Sequence, residues 1–168
     1  LSLDAGEKIS AIIPIQSFED GKYLLMATKN GLIKKTPLKE YDSSRKTGLL
    51  AINLKDDDEL IDVRLTDGED NVVLVTSKGM CITFDEKDVR PVGRSAQGVL
   101  GIRLDDDDFV IGMESILANN KNATLLAITE NGFGKRTEVD EYRVQNRGGR
   151  GVITYKITPK TGNIVGIR

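Results

Sequence analysis

Seven consecutive residues without an apolar side chain, Gln145-Asn146-Arg147-Gly148-Gly149-Arg150-Gly151, are the part of this sequence best equipped for chemistry. The two arginines supply planar guanidinium forks that match phosphate oxygens. The glycines let the backbone take positive φ and let a bulky ligand come close, and N–H groups exposed in such turns form an anion-binding concavity. The combination suits a phosphate clamp. A solvated turn whose glycines serve geometry alone is the competing reading, and one loop does not separate the two.

Related loops occur earlier. Gly48, Gly98 and Gly151 occupy one repeat position, each followed by an apolar strand, and four residues before them stand Ser44, Arg94 and Arg147. The first loop compensates for Ser44 with Arg45 and Lys46. Basic residues at one position in three loops favour binding over a bare turn. Lys34-Lys35 and Lys135-Arg136 align just after a hairpin glycine, where the middle unit has Ile82-Thr83, so this basic track is uneven. Paired charges on an edge strand also serve simply to block aggregation. Arg90 and Arg143 share another position, occupied by Asp42 in the first unit.

Other chemistries are poorly served. The 168 residues include no histidine, which excludes histidine-based zinc sites, Ser-His-Asp triads and histidine acid–base catalysis. Cys81 is the one cysteine, so no internal disulfide forms, and its place between Met80 and Ile82 reads as core. The acidic runs Asp56–Asp58 and Asp105–Asp108 lack the EF-hand spacing and read as solvated turns, so no metal and no cofactor is expected. Neither a nucleophile–base pair nor a nucleotide-binding loop is visible, and the chain by itself is not expected to be an enzyme. Its net charge of −2 argues weakly against nucleic acid, but the acids and bases are segregated, which can leave one basic face. Apolar runs such as Val72–Val75 are far too short to span a membrane, and Leu1–Ser10 is unlike a signal peptide. A cytoplasmic location is the simplest expectation.

The loops sit in a repeat of about fifty residues. Leu24–Tyr41, Val72–Val89 and Leu125–Tyr142 each carry an apolar quartet, then Thr-x-x-Gly, a strand-like run and an acidic stretch. The glycines of that motif, Gly31, Gly79 and Gly132, are 48 and 53 residues apart. Units are expected at about 3–53, 54–103 and 104–156, with a fourth starting at 157–168. Each reads as four short strands, in the first unit Lys8–Gln16, Tyr23–Lys29, Gly31–Leu38 and Gly48–Leu54. Helix signals are poor. Four strands per fifty residues is the size of a propeller blade, so the expected fold is all-β, with about three blades and the start of a fourth. A two-sheet sandwich gives no reason for similar units in series.

The stretches KKTPLKEY, VRLTDGEDNVVLVTSKG, DVRPVGRSAQGVLGIRL, ITENGFGKRT and EYRVQNRGGRGV resemble the C-terminal domain of the bacterial gyrase A protein, over essentially the whole chain. The resemblance implies a β-pinwheel, a propeller whose neighbouring blades exchange strands. It also implies a basic rim that wraps double-stranded DNA and supports negative supercoiling by the whole ATP-dependent topoisomerase. The family's box is Gln-Arg/Lys-Arg-Gly-Gly-Arg/Lys-Gly, matched by Gln145–Gly151 except at Asn146. Because that box belongs to the family's first blade and the match here lies in the third unit, the chain is expected to be an interior piece. The implied partners are DNA, through its backbone with little sequence preference, and the rest of the gyrase A protein, with gyrase B reached through it. The equivalent domain of topoisomerase IV, and a protein-binding propeller with no nucleic-acid role, are the alternatives. None of Tyr23, Tyr41, Tyr142 and Tyr155 inherits the cleaving role, which in gyrase lies in another domain.

Overall fold

Thr-x-x-Gly closes a hairpin for a local reason. The hydroxyl of Thr28 accepts the N–H of Leu32 at 3.2 Å, Thr76 that of Met80 at 3.1 Å, and Thr129 that of Phe133 at 3.2 Å. The threonine thereby satisfies a donor that the tight turn would leave unpaired. Three hairpins result, in a computed structural model that describes residues 3, 5–43, 47–120 and 122–168. They are β1 (Tyr23–Thr28) with β2 (Leu32–Pro37), β4 (Asp70–Thr76) with β5 (Met80–Asp85), and β8 (Thr124–Thr129) with β9 (Gly134–Glu138).

Every hairpin is completed by strands from the following unit. β3 (Leu60–Thr66) pairs with β1, β7 (Val110–Leu117) with β4, and β11 (Ile164–Ile167) with β8. On the opposite edge β6 (Val99–Leu100) pairs with β2, and β10 (Val152–Ile153) with β5. The three antiparallel sheets have the orders β3-β1-β2-β6, β10-β5-β4-β7 and β11-β8-β9. The architecture is all-β with blades that exchange strands, as the resemblance implied. Two strands expected in the first unit, Lys8–Gln16 and Gly48–Leu54, form no ladder. By the same exchange their partner would be a hairpin preceding Tyr23, and none is present among the described residues.

The sheets stack face to face. On β4, Val72 and Leu74 join a cluster with Leu25, Ala27, Ile33 and Phe84, while Val73 and Val75 join another with Leu125, Ala127 and Ile164. Burial on both faces explains why this strand reads as a continuous apolar run rather than an alternation. On β8 only one face is covered: Leu125 and Ala127 are buried, whereas Leu126 and Ile128 are exposed.

Candidate nucleic-acid interface

The arginine–glycine loops are aligned by their backbones. The segment that leads into β6 follows β2, with Val92 N–H bonded to the Lys35 carbonyl at 2.9 Å; the segment that leads into β10 follows β5 through Gln145 N–H and the Thr83 carbonyl, also at 2.9 Å. Each then crosses the hairpin so closely that its glycine has no alternative. A Cβ on Gly98 (φ +101°) would meet the Ile33 carbonyl at 2.8 Å, and one on Gly151 (φ +77°) would run into the Cys81 carbonyl. Successive loops are also bonded to one another. Arg103 N–H donates to the Gly149 carbonyl at 2.8 Å and Gly148 N–H to the Gly101 carbonyl at 2.6 Å; one repeat earlier, Asn53 N–H donates to Ala96 at 3.2 Å.

This file of loops puts Arg94 and Arg147 in the same setting. Arg94 Nη1 donates to the Leu50 carbonyl at 3.4 Å, and Arg147 Nη1 donates to the Leu100 carbonyl at 3.0 Å. Arg147 Nε adds a bond to the Asp88 carbonyl at 3.0 Å, whereas Arg94 Nε is buried without a partner among the described residues. Among the described residues neither guanidinium meets a carboxylate. Arg150 is exposed and paired with Asp105. The N–H groups of Asn146, Arg147 and Arg150 make no hydrogen bond among the described residues. Gln145 is half-buried beneath Gly149, its amide nitrogen unpaired, and forms the floor of the loop rather than its surface.

The lysine pair after the first hairpin is not a surface feature, which corrects the expectation for Lys34 and Lys35. Lys34 is 0% exposed; its ammonium donates to the Ala51 carbonyl at 2.7 Å and to the carbonyl of Arg94. Burial, with the Arg94 charge second, lowers its pKa from 10.5 to about 8. Lys35 is 4% exposed, bonds the Glu86 carbonyl at 3.0 Å, and lies 3.6 Å from the Glu86 carboxylate and 5.2 Å over the Tyr23 ring. The next unit's loop covers both, which no pattern within the first unit signals. Their counterparts Lys135 and Arg136 are exposed, Lys135 donating to the Thr154 carbonyl at 3.1 Å. Arg90 and Arg143 are exposed, and Arg45 and Lys46 lie outside the described residues.

Two cations escaped the sequence reading. Arg103 and Lys156 stand five residues after Gly98 and Gly151, and both are exposed. Arg103 adjoins the Gln145–Gly151 loop through its backbone bond. Their shared register was the signal that would have found them. Cys81 is buried, which pushes its thiol up to about 12, so it is inert. No helix among the described residues is long and apolar enough to cross a membrane.

A family model of the DNA gyrase C-terminal domain, β-propeller, matches residues 22–67, 70–116 and 123–168. The gyrase A protein of Clostridium acetobutylicum is 55% identical over 168 residues, all of this chain and 20% of that protein. That of Salmonella typhimurium is 44% identical over 166 residues, 99% of this chain and 19% of that protein. The chain thus spans about a fifth of the length of the curated relatives it matches. A crystal structure of the C-terminal domain of DNA topoisomerase IV superposes with a TM-score of 0.91 at 36% identity, over 99% of this chain and 51% of that one. A structure of the DNA gyrase A C-terminal domain gives 0.85 at 29% identity, over 98% and 54%. Three matched hairpin repeats, strand exchange between sheets and arginine–glycine loops in one register converge: the chain belongs to the DNA gyrase C-terminal domain family of β-propellers.

Proposed function

We propose that this chain is a DNA-binding surface that helps wrap duplex DNA for a gyrase A protein, and that through it and gyrase B the surface supports negative supercoiling. The observation that carries this reading is the repeat-related placement of Arg94 and Arg147, each beside the preceding unit's loop. A stiff polyanion is held bent by cations recurring along an arc. Bending ~40 base pairs through half a turn costs roughly 11 kcal/mol for a persistence length of about 150 base pairs. A hydrogen bond to a charged group returns about 1.5–3 kcal/mol, so about four to seven phosphate contacts must form before wrapping is favourable. One loop does not hold that many cations; a file of loops does. In this reading the rim comprises Arg90, Arg94, Lys135, Arg136, Arg143, Arg147 and Arg150, joined by Arg103 and Lys156, with Arg45 and Lys46 completing the first loop. Gln145 and the box glycines shape it. The repeat units run 3–53, 54–103 and 104–156, with a further one from 157.

The test is a filter-binding titration of duplex DNA across salt. Log affinity is expected to fall against log salt with a slope near −0.9 per phosphate neutralised, and similarly for unrelated sequences, because the loops meet backbone and not base edges. A flat salt response sinks the proposal and favours a protein-binding propeller. The likeness to the topoisomerase IV domain fits the same surface role. Whether the full-length parent supercoils relaxed plasmid separates the two parents.

A further inference from the structure

The joints between successive sheets differ in what fills them. Between the first and second units the space holds Tyr23, Lys35 and Glu86. The Glu86 carboxylate accepts from the Thr66 hydroxyl at 2.5 Å and from Asp70 N–H at 3.3 Å, and faces the Lys35 ammonium under the Tyr23 ring. Sheet register identifies the corresponding residues one unit on. Tyr23 opposes Pro37 and Thr66, as Asn71 opposes Asp85 and Ile116. Lys35 bridges to Pro91 as Thr83 bridges to Val144. Glu86 and Val139 each open the short 3-10 turn that follows the hairpin. Every component has become smaller or apolar: tyrosine to asparagine, lysine to threonine, glutamate to valine, and Thr66 to isoleucine.

What remains is an open cavity of about 270 Å³ between the second and third units. Ile116, Val139 and Val144 form apolar walls. Thr83, which is 6% exposed, lines it, and among the described residues its buried hydroxyl has no hydrogen-bond partner beyond the weak Cys81 thiol. Two charges, Arg143 and Asp140, stand at the rim, both exposed and neither in an ion pair among the described residues. A cavity with apolar walls and a few convergent polar groups is the general form of a small-molecule site, and this volume lies just below the usual range of about 300–1,000 Å³, which suits a small ligand.

We infer that the space vacated by the ion pair is a binding site for a small carboxylate with an apolar ring, the ring against Ile116 and Val139 and the carboxylate on Arg143. The ring replaces the bulk that Tyr23 supplies in the other joint, and the carboxylate gives Arg143 the partner it lacks. Asp140 opposes the same anion and sets a ceiling on its affinity.

The probe is 2-naphthoate, titrated into this chain and followed by the methyl resonances of Ile116, Val139 and Val144, with 2-naphthamide as the uncharged control. Saturable shifts at these methyls are expected for both. Arg143→Gln is expected to weaken the carboxylate about five- to tenfold and to leave the amide unchanged, and Asp140→Asn to tighten the carboxylate. Asn71→Tyr, which restores the ring of the filled joint, is expected to abolish both. The inference is overturned if no saturable shift appears at these methyls up to the solubility limit. It is equally overturned if R143Q leaves naphthoate binding unchanged, a result independent of whether N71Y folds. The naphthoate titration is run without DNA, so its outcome is read separately from that of the salt titration even though Arg143 also belongs to the proposed rim.

Discussion

Arg94 and Arg147 make the same contact one repeat apart: each guanidinium donates to the carbonyl two residues past the preceding loop's glycine, Leu50 in one case and Leu100 in the other. The rim is therefore built by the repeat, and its arginines have two roles. They fasten consecutive loops and, in the proposed function, offer charge to DNA.

R94A and R147A are expected to weaken duplex binding about 10- to 100-fold each, irrespective of sequence, and to lower the salt slope by about 0.9. Thermal melts should separate their structural roles. R147A removes two bonds of 3.0 Å and is expected to cost about 1–2 kcal/mol, R94A less, and R150A nothing. Equal melting temperatures for all three would dissociate the fastening role from these arginines.

Asp105 occupies the guanidinium that the box would offer to phosphate. D105N is expected to tighten DNA binding about two- to fivefold at low salt, with the gain shrinking as salt screens the exposed pair. Unchanged affinity would mean Arg150 lies outside the DNA path.

Lys34 has a folded pKa of about 8 against 10.5 in its ordinary state, through burial first and the Arg94 charge second. Between those values the unfolded chain binds the proton more firmly than the folded one, so the contribution of Lys34 to stability rises as pH climbs from about 8 towards 10.5. Urea midpoints at pH 7.5 and 9.5 should show that rise in the parent chain, and K34M should lack it.

The Lys35–Glu86 pair is buried, so removing one partner strands the other charge. K35M is expected to destabilise by about 3–5 kcal/mol in denaturant unfolding. The double change K35T/E86V, which installs the residues of the next joint, should recover part of that loss although it opens a cavity. A double variant worse than K35M would show that the pair is net stabilising.

Gly151 cannot carry a side chain: its φ is +77° and a Cβ would enter the Cys81 carbonyl. G151A is expected to cost at least about 1–3 kcal/mol and to weaken DNA binding by displacing the loop. G93A, where a Cβ meets nothing within 4 Å, is the matched control and should be neutral.

Much of this is legible in the residue order. The Thr-x-x-Gly hairpins depend on a hydroxyl and a turn within five residues, and they form where the motif stands. The common register of Gly98 and Gly151 reveals that their loops are copies, hence that Arg94 and Arg147 belong together. Lys34 and Lys35 are misplaced by that reading because a cation on a strand carries no mark of the loop, sixty residues on, that buries it. The apolar pattern of Lys8–Gln16 and Gly48–Leu54 suggests strands, but a strand also needs a neighbouring edge.

The amino-acid order alone determined the hairpins, their number and the position of every arginine–glycine loop, since turn geometry and side-chain alternation are short-range properties of the backbone. The tertiary structure decided which unit's strands complete each sheet, which cations end inside and which stay exposed, and why one joint is packed and the next hollow. Those outcomes rest on contacts between residues about fifty positions apart, where the free energy comes from covering a surface and the same local pattern permits several partners.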